Sequence, residues 1–263
     1  MMKKILFFFL SLLLGLSLVG CGKKSDKTTD LVKDSDWMTP GEMISDYLSD
    51  DKKQVSEVKF TFEFSDEDGL QYVGYMRFVL FKDLAPITVN NFVNLVDKGY
   101  YENLTITRVV KDTLMQGGDP EKTTLKEAKE TTNTIKGEFE ENEVFNNLSH
   151  DNGVLSMARA EDNDSASSQF FVVSGNFTSG NGSYAAFGFL LKEKNEDGSS
   201  LTFEQRNYTK TEDGRRVLYD YDCLTKICSI ATVNDAQDAA PVDTIVITDA
   251  VVIKKDVKMS DIK

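Results

Sequence analysis

Histidine and cysteine are scarce. The 263 residues hold one histidine and three cysteines. Cys223 and Cys228 lie five positions apart on a stretch with helical spacing. That separates them by about 140° around the axis, too divergent for an easy disulfide, so they read as structural. Basic residues are also short: 30 Lys and Arg face 43 Asp and Glu, a net charge of −13. Nucleic acid is therefore not an expected partner, because phosphate binding needs clustered Lys and Arg. The acidic surplus reads as a solubility feature. Gly117-Gly118 is not followed by Gly-Lys-Ser/Thr, which excludes a phosphate loop. Ser65–Gly69, SDEDG, starts like a calcium loop but lacks the remaining ligand spacing, so it reads as a turn. No internal repeat is apparent. The longest apolar run, Ile5–Leu14 continuing to Val19, is too short and wrongly flanked for a committed membrane span.

Aromatic residues, by contrast, are plentiful. Seventeen Phe and nine Tyr argue against a disordered body. At the start, Lys3 and Lys4 precede the apolar run, the pattern of a signal peptide over residues 1–20. It ends Leu18-Val19-Gly20-Cys21, which resembles the lipobox of bacterial lipoproteins. That resemblance implies a lipidated Cys21 as the mature first residue, with acyl chains anchoring the protein at about 0.8 kcal/mol per buried methylene. With Cys21 so used, no zinc ligand set remains, and no metal is expected. Residues 22–36 are polar and read as a flexible tether. Thr39-Pro40 then opens a short helix with Met43, Ile44, Tyr47 and Leu48 on one face. Residues 21–55 thus form lipidated Cys, tether and short helix.

From there the chain reads as strands with two helices. Val58–Phe64 and Val73–Phe81 alternate as a hairpin. Pro86 starts a helix in which Val89, Phe92, Val93 and Val96 recur at i, i+3, i+4 and i+7, and Gly99 caps its end. Leu104–Val110 is a further strand, and residues 121–143 read as surface loop. Gly153–Val173, GVLSMARAEDNDSASSQFFVV, holds two short strands around an acidic loop, with Arg159, Gln169 and Phe171 at the strand ends. A polar fork beside an aromatic suggests a groove for an extended peptide. Ala185–Leu191, a helix over Asp220–Ile230 and a strand over Thr244–Ile253 complete the body. Residues 192–216 form a charged insertion. The many short strands, without βαβ alternation, predict an antiparallel barrel or sandwich with helices over its ends.

Several spans in one order resemble the cyclophilin-type peptidyl-prolyl cis-trans isomerases: FKDLAPITVNNFVNLVDKGYYENLTITRVV, LMQGGD, IKGEF, NNLSHDNGVLSMARA, SSQFFVV, YAAFGFLL and PVDTIVI. The resemblance covers residues 56–255, with a tail at 256–263. It implies a mainly β fold, a closed eight-stranded antiparallel barrel capped by two helices. It also implies no cofactor, since no covalent chemistry occurs. Arg108 matches the catalytic arginine and Gln116 the glutamine that binds substrate backbone. Phe171 matches the aromatic floor of the proline pocket. Leu114, Ala158, Arg159 and Gln169 match positions that line the groove. Thr113 stands where an aromatic is usual, Ser179-Gly180-Asn181-Gly182 replaces a Trp-Leu pair, and Tyr184 takes the place of the pocket histidine. His150 lies elsewhere and reads as structural. One wall therefore loses apolar area, a change of a few kcal/mol in substrate affinity at about 25 cal/mol per Å2. Tyr184 can restore part of it.

The expectation is a peptidyl-prolyl isomerase, weakened or altered at its pocket. It would be a lipid-anchored monomer on the extracytoplasmic side of the cell membrane, acting on proline-containing exported polypeptides. The alternative is a cyclophilin-like module that binds proline segments or partners with little turnover.

Overall fold

Alternation decides the first hairpin. Val58, Phe60, Phe62 and Phe64 share one face of β1 (Val55–Ser65) and are buried. β2 (Gln71–Phe81) returns antiparallel, with Phe60 opposite Met76. The turn between them carries Gly69 at φ +75°. Asp66 ties it down, accepting Leu70 N–H at 3.0 Å and the Tyr72 hydroxyl at 2.8 Å. Lys226 lies 2.8 Å from the same carboxylate, and its hydrogen bond holds Asp66 down to about 2.

The computed structural model describes residues 32–33, 36–195, 197–230, 232–233 and 239–262. The expected signal peptide, Cys21 and most of the tether lie outside the described residues. No helix among the described residues is long and apolar enough to cross a membrane.

Helix α1 (Pro40–Ser49) begins in a capping box, in which Thr39 and Glu42 bond each other's backbone N–H, a device worth about 1 kcal/mol. Its Met43 and Tyr47 are buried, and the Tyr47 ring packs 4.9 Å from Phe81. The predicted apolar face thus docks the helix on the body, except for Leu48, which is exposed. Helix α2 (Pro86–Asp97) follows with Pro86 in its first turn. Then come β3 (Ile106–Val110), β4 (Leu114–Gly117), β5 (Val154–Met157), β6 (Phe170–Val173) and β7 (Ala186–Leu191). The chain ends through α3 (Phe203–Tyr208), β8 (Arg216–Tyr219), α4 (Asp220–Cys228) and β9 (Val246–Val257).

The sheet runs β3-β4-β6-β5-β7-β2-β1-β9, with β8 attached to β2. It is a curled, mainly antiparallel half barrel. Three features differ from the sequence expectation. First, the described residues form nine strands rather than eight, and the barrel is open rather than closed, because β3 and β9 do not pair as strands. Much of the outer edge of β3 is used by residues leading into β9: Val109 N–H donates to Ala239 O at 3.0 Å and Ile106 N–H to Ile245 O at 2.9 Å. Second, β8 runs parallel to β2, with Val73 opposite Val217. Third, the described residues hold four α-helices: the two expected as caps, α1 at the short helix expected from Thr39-Pro40, and α3, which was not predicted. α3 hides in the charged insertion because six residues are too few to show a period. Its signature is the Thr202/Gln205 capping box.

The insertion is anchored. Arg206 of α3 forms a fork on Asp220, at 3.1 and 3.2 Å, and Asp220 is only 2% exposed. The same carboxylate accepts Glu193 N–H at 2.8 Å.

Side-chain alternation divides the interior. Phe60, Phe92, Tyr101, Phe170 and Phe187 fill the inside of the curl. Phe171, Leu114, Val173 and Leu148 form a second cluster on the other face, with Met43 and Tyr47 of α1. Cys223 and Cys228 are free and buried, and burial pushes the Cys228 thiol up to about 12.

Candidate active site

Register places the predicted residues in a row. Arg108 on β3 faces Gln116 on β4, Gln116 faces Phe171 on β6, and Phe171 faces Ser156 on β5. Directly opposed residues put their side chains on the same side of a sheet, so these four span four strands on one face. The strands alternate, so Met115, Phe170 and Val172 point into the curl while Gln116 and Phe171 point away.

Hydrogen bonds orient the polar end of the row. Arg108 Nη1 donates to Gln116 Oε1 at 3.1 Å. A guanidinium only donates, so this contact fixes which way the Gln116 amide points. Its Nε2 then donates to Gln169 Oε1 at 3.0 Å. Gln169 is held in turn by its carbonyl, which accepts Ala158 N–H at 3.0 Å. Behind it, Gly118 sits at φ +87°, where a Cβ would fall 2.5 Å from Ser168 O. Only glycine allows β4 to end this close to the segment that delivers Gln169.

The apolar end is an aromatic nest. Phe171 lies 5.5 Å from Tyr184 and 5.8 Å from Phe177, edge-on to both rings. His150 stacks beneath it at 5.9 Å and 16°. Phe171 is only 3% exposed as a result. Leu114 joins the same cluster and Ala158 packs against it. Thr113, in the β3–β4 turn, turns its hydroxyl to Lys111 O at 3.2 Å and adds nothing apolar to this cluster.

Arg159 has a more specific place than groove lining. Its Nε donates to Ser183 O at 2.9 Å, and its Nη1 to the carbonyls of Ala160 and Glu161. Its guanidinium lies 5.2 Å from the Tyr184 ring centroid and 5.1 Å from that of Phe139. Glu141 lies 3.6 Å away. The stacking and the bond next door pin Tyr184 against Phe171.

Phe177 was missed by sequence reasoning. A lone phenylalanine in a loop of Gly, Ser and Asn was the available signal. Glu138, within IKGEF, was also missed. It is buried and accepts Ile87 and Thr88 N–H at 3.0 and 2.7 Å, capping α2. His150 reads as structural, and it is 1% exposed. Burial depresses its imidazole to about 4, so it is neutral at ordinary pH.

A separate open cleft lies at the C-terminal end of α2, lined by Leu95, Lys98, Tyr100, Lys129 and Thr132. There Lys129 Nζ donates to Gly99 O and Tyr100 O. That is a lysine closing a helix C-terminus, and none of the row residues lines this cleft. No group of three or more His, Cys, Asp or Glu among the described residues is placed to hold a metal.

Residues 61–196 match the family model for cyclophilin type peptidyl-prolyl cis-trans isomerase/CLD. Over 100 residues the chain is 44% identical to a Staphylococcus haemolyticus protein named "Putative peptidyl-prolyl cis-trans isomerase". It is 41% identical to a Staphylococcus aureus protein of the same name. Each match covers 38% of this chain and 48% of the relative. The chain thus spans about half the length of the curated relatives it matches. Among solved structures, a cyclophilin type isomerase of Cryptosporidium parvum aligns over 76% of this chain and 99% of its own. The TM-score is 0.53 at 22% identity, a likeness of fold.

Proposed function

Because the chain belongs to the cyclophilin-type peptidyl-prolyl cis-trans isomerase family, we propose that it accelerates X–Pro isomerisation, with Arg108 as the catalytic group. The observation that carries this is the row itself, in which a hydrogen-bonded arginine and glutamine stand beside an aromatic floor. Amide resonance sets a rotational barrier of about 18–20 kcal/mol. At the twisted transition state the prolyl nitrogen regains a lone pair. A guanidinium already oriented by Gln116 can donate to that lone pair and stabilises it more than the planar ground state. Gln116 binds the substrate backbone through its amide. The proline ring rests on the Phe171 nest, and Ala158, Arg159 and Gln169 bound the extended chain. No bond is made or broken, so no cofactor enters.

The same proposal places the domain on the extracytoplasmic face of a membrane, held by lipid on Cys21 and acting as a monomer on exported polypeptides. The basic start, the apolar run and Leu18-Val19-Gly20-Cys21 support the anchor. Mass spectrometry of the mature protein is expected to find a lipidated Cys21, and an unmodified Cys21 would remove the anchor.

A second reading is favoured by one observation: Phe171 is nearly covered by Phe177 and Tyr184. A floor so covered suits a module that grips proline segments with little turnover. Exchange of a proline tetrapeptide by NMR separates the two. The enzyme reading expects acceleration by the wild type and a loss of about 10²–10³-fold in Arg108→Ala. Peptide binding without acceleration would leave the binding module.

A further inference from the structure

We propose that His150 is a positioning residue: it holds the wall made by Phe177 and Tyr184 over Phe171 and thereby sets the affinity of the groove for proline segments. The inference rests on the reading of this groove as the proline site.

His150 joins the two halves of the nest. On one side is the sheet: its Nε2 lies 3.0 Å from Ser156 Oγ on β5. On the other side is the loop 174–184. His150 backbone N–H donates to Asn181 Oδ1 at 2.8 Å, and ring Nδ1 lies 3.0 Å from the same oxygen. The His150 carbonyl accepts Phe177 N–H at 3.0 Å.

These contacts fix the chemistry of the ring. A backbone N–H can only donate, so the Asn181 atom it meets is an acceptor. Nδ1 must then carry the proton, and Nε2 accepts from the Ser156 hydroxyl. One neutral tautomer satisfies both sides, and the depressed basicity of the buried ring agrees with it.

The ring is also the packing centre of the nest. It stacks on Phe171 and meets Phe177 at 6.0 Å and Tyr184 at 6.4 Å, both edge-on. Apart from Phe177 and Tyr184, the loop is made of Ser, Gly, Asn and Thr. Gly180 lets the Phe177 ring lie across its backbone, where a Cβ would fall 2.5 Å from Cε1. Removing the imidazole breaks the link from β5 to Asn181 and empties the space beneath Phe171.

The test uses NMR of the full chain with labelled aromatics. In wild type, ring contacts Phe171–Phe177 and Phe171–Tyr184 are expected, with an imidazole protonated at Nδ1. In His150→Ala the Phe171–Phe177 contact should vanish and the Phe171–Tyr184 contact should weaken, since Arg159 still holds Tyr184, while the Phe60, Phe92 and Phe170 contacts persist. The Kd for an Ala-Pro tetrapeptide should rise at least tenfold. His150→Gln keeps one donor and one acceptor and should recover most of the loss. Asn181→Ala removes the loop-side acceptor, together with a long donor contact to Ser149 Oγ. It should loosen the same wall, which keeps the test valid if His150→Ala does not fold. Unchanged ring contacts in either variant, or a Kd within twofold of wild type, would overturn the proposal. If wild type itself binds no proline peptide, the proline-site reading fails, and the ring contacts alone decide the positioning role.

Discussion

Phe170 and Phe171 are neighbours in sequence and belong to different environments. Phe170 points into the curl and packs against Phe60, Phe92 and Tyr101 at 5.5–5.7 Å. That cluster is almost wholly apolar, and its one hydroxyl, on Tyr101, donates to Ser168 O at 3.0 Å. Phe171 points outward into a nest in which each neighbouring ring is tethered by a directional contact. His150 is held by Asn181 and Ser156, Tyr184 lies under Arg159, and Phe177 hangs from the His150 carbonyl. Both residues are buried, so burial does not separate core from site. The tethering does: the inner cluster is held mainly by buried area, with a single hydroxyl bond, whereas the outer one is held by directional contacts that fix where each ring stands.

The sharpest way to break that comparison is to truncate each ring. Phe170→Ala should cost about 3–5 kcal/mol of stability, as a cavity in the inner cluster. The Kd of the remaining folded protein for a proline tetrapeptide should stay within twofold. Phe171→Ala should cost less stability and at least tenfold in Kd. Denaturant unfolding and peptide titration measure both, and equal losses of affinity would erase the distinction.

A pH series sharpens the polar side of the comparison. His150 is depressed to about 4 in the folded protein, against an ordinary value near 6.5 in the unfolded chain. The unfolded state therefore binds the extra proton first. Stability tied to the neutral ring is fully present above about pH 6.5 and is lost as pH falls towards 4, by about 3 kcal/mol in all. His150→Gln should flatten this slope. The difference between the two proteins is the quantity to measure, since relief of acidic self-repulsion acts on both. An identical slope would mean that the ring titrates normally.

The smallest effect belongs to a third region, the insertion. Arg206→Ala leaves Asp220 buried without its fork. A loss of about 1–3 kcal/mol is expected, below the full value for a buried pair because Arg206 is partly exposed. Hydrogen exchange should rise in α3 and β8 and stay unchanged in β3, β4 and β6. Faster exchange across the site strands would show that the insertion and the site are one unit.

Much of the fold was legible because it rests on local period. β1, β2, α1 and α2 follow from alternation or helical spacing; Thr39 caps the start of α1, and Gly99, at φ +63° just after the C-cap Lys98, marks the end of α2. The candidate site residues were legible through ordered motifs, LTITR, LMQGGD and SSQFF, which carry Arg108, Gln116, Gln169 and Phe171. Phe177, Glu138 and the role of Arg159 were not. Each acts through a partner distant in sequence: Phe177 through Phe171 and Tyr184, Glu138 through the start of α2, and Arg159 through Ser183 and Tyr184. β8 escaped for the same reason, since its parallel pairing with β2 leaves no trace in four residues.

Sequence by itself determined the strand faces, the helix ends, the scarcity of histidine and cysteine and the order of motifs, because these are read from composition or from neighbours a few residues apart. Only tertiary structure decided which rings cover Phe171, that Arg159 clamps Tyr184, and that the one histidine joins sheet to loop. Those contacts close over tens of residues, and their geometry exists only once the strands are in register.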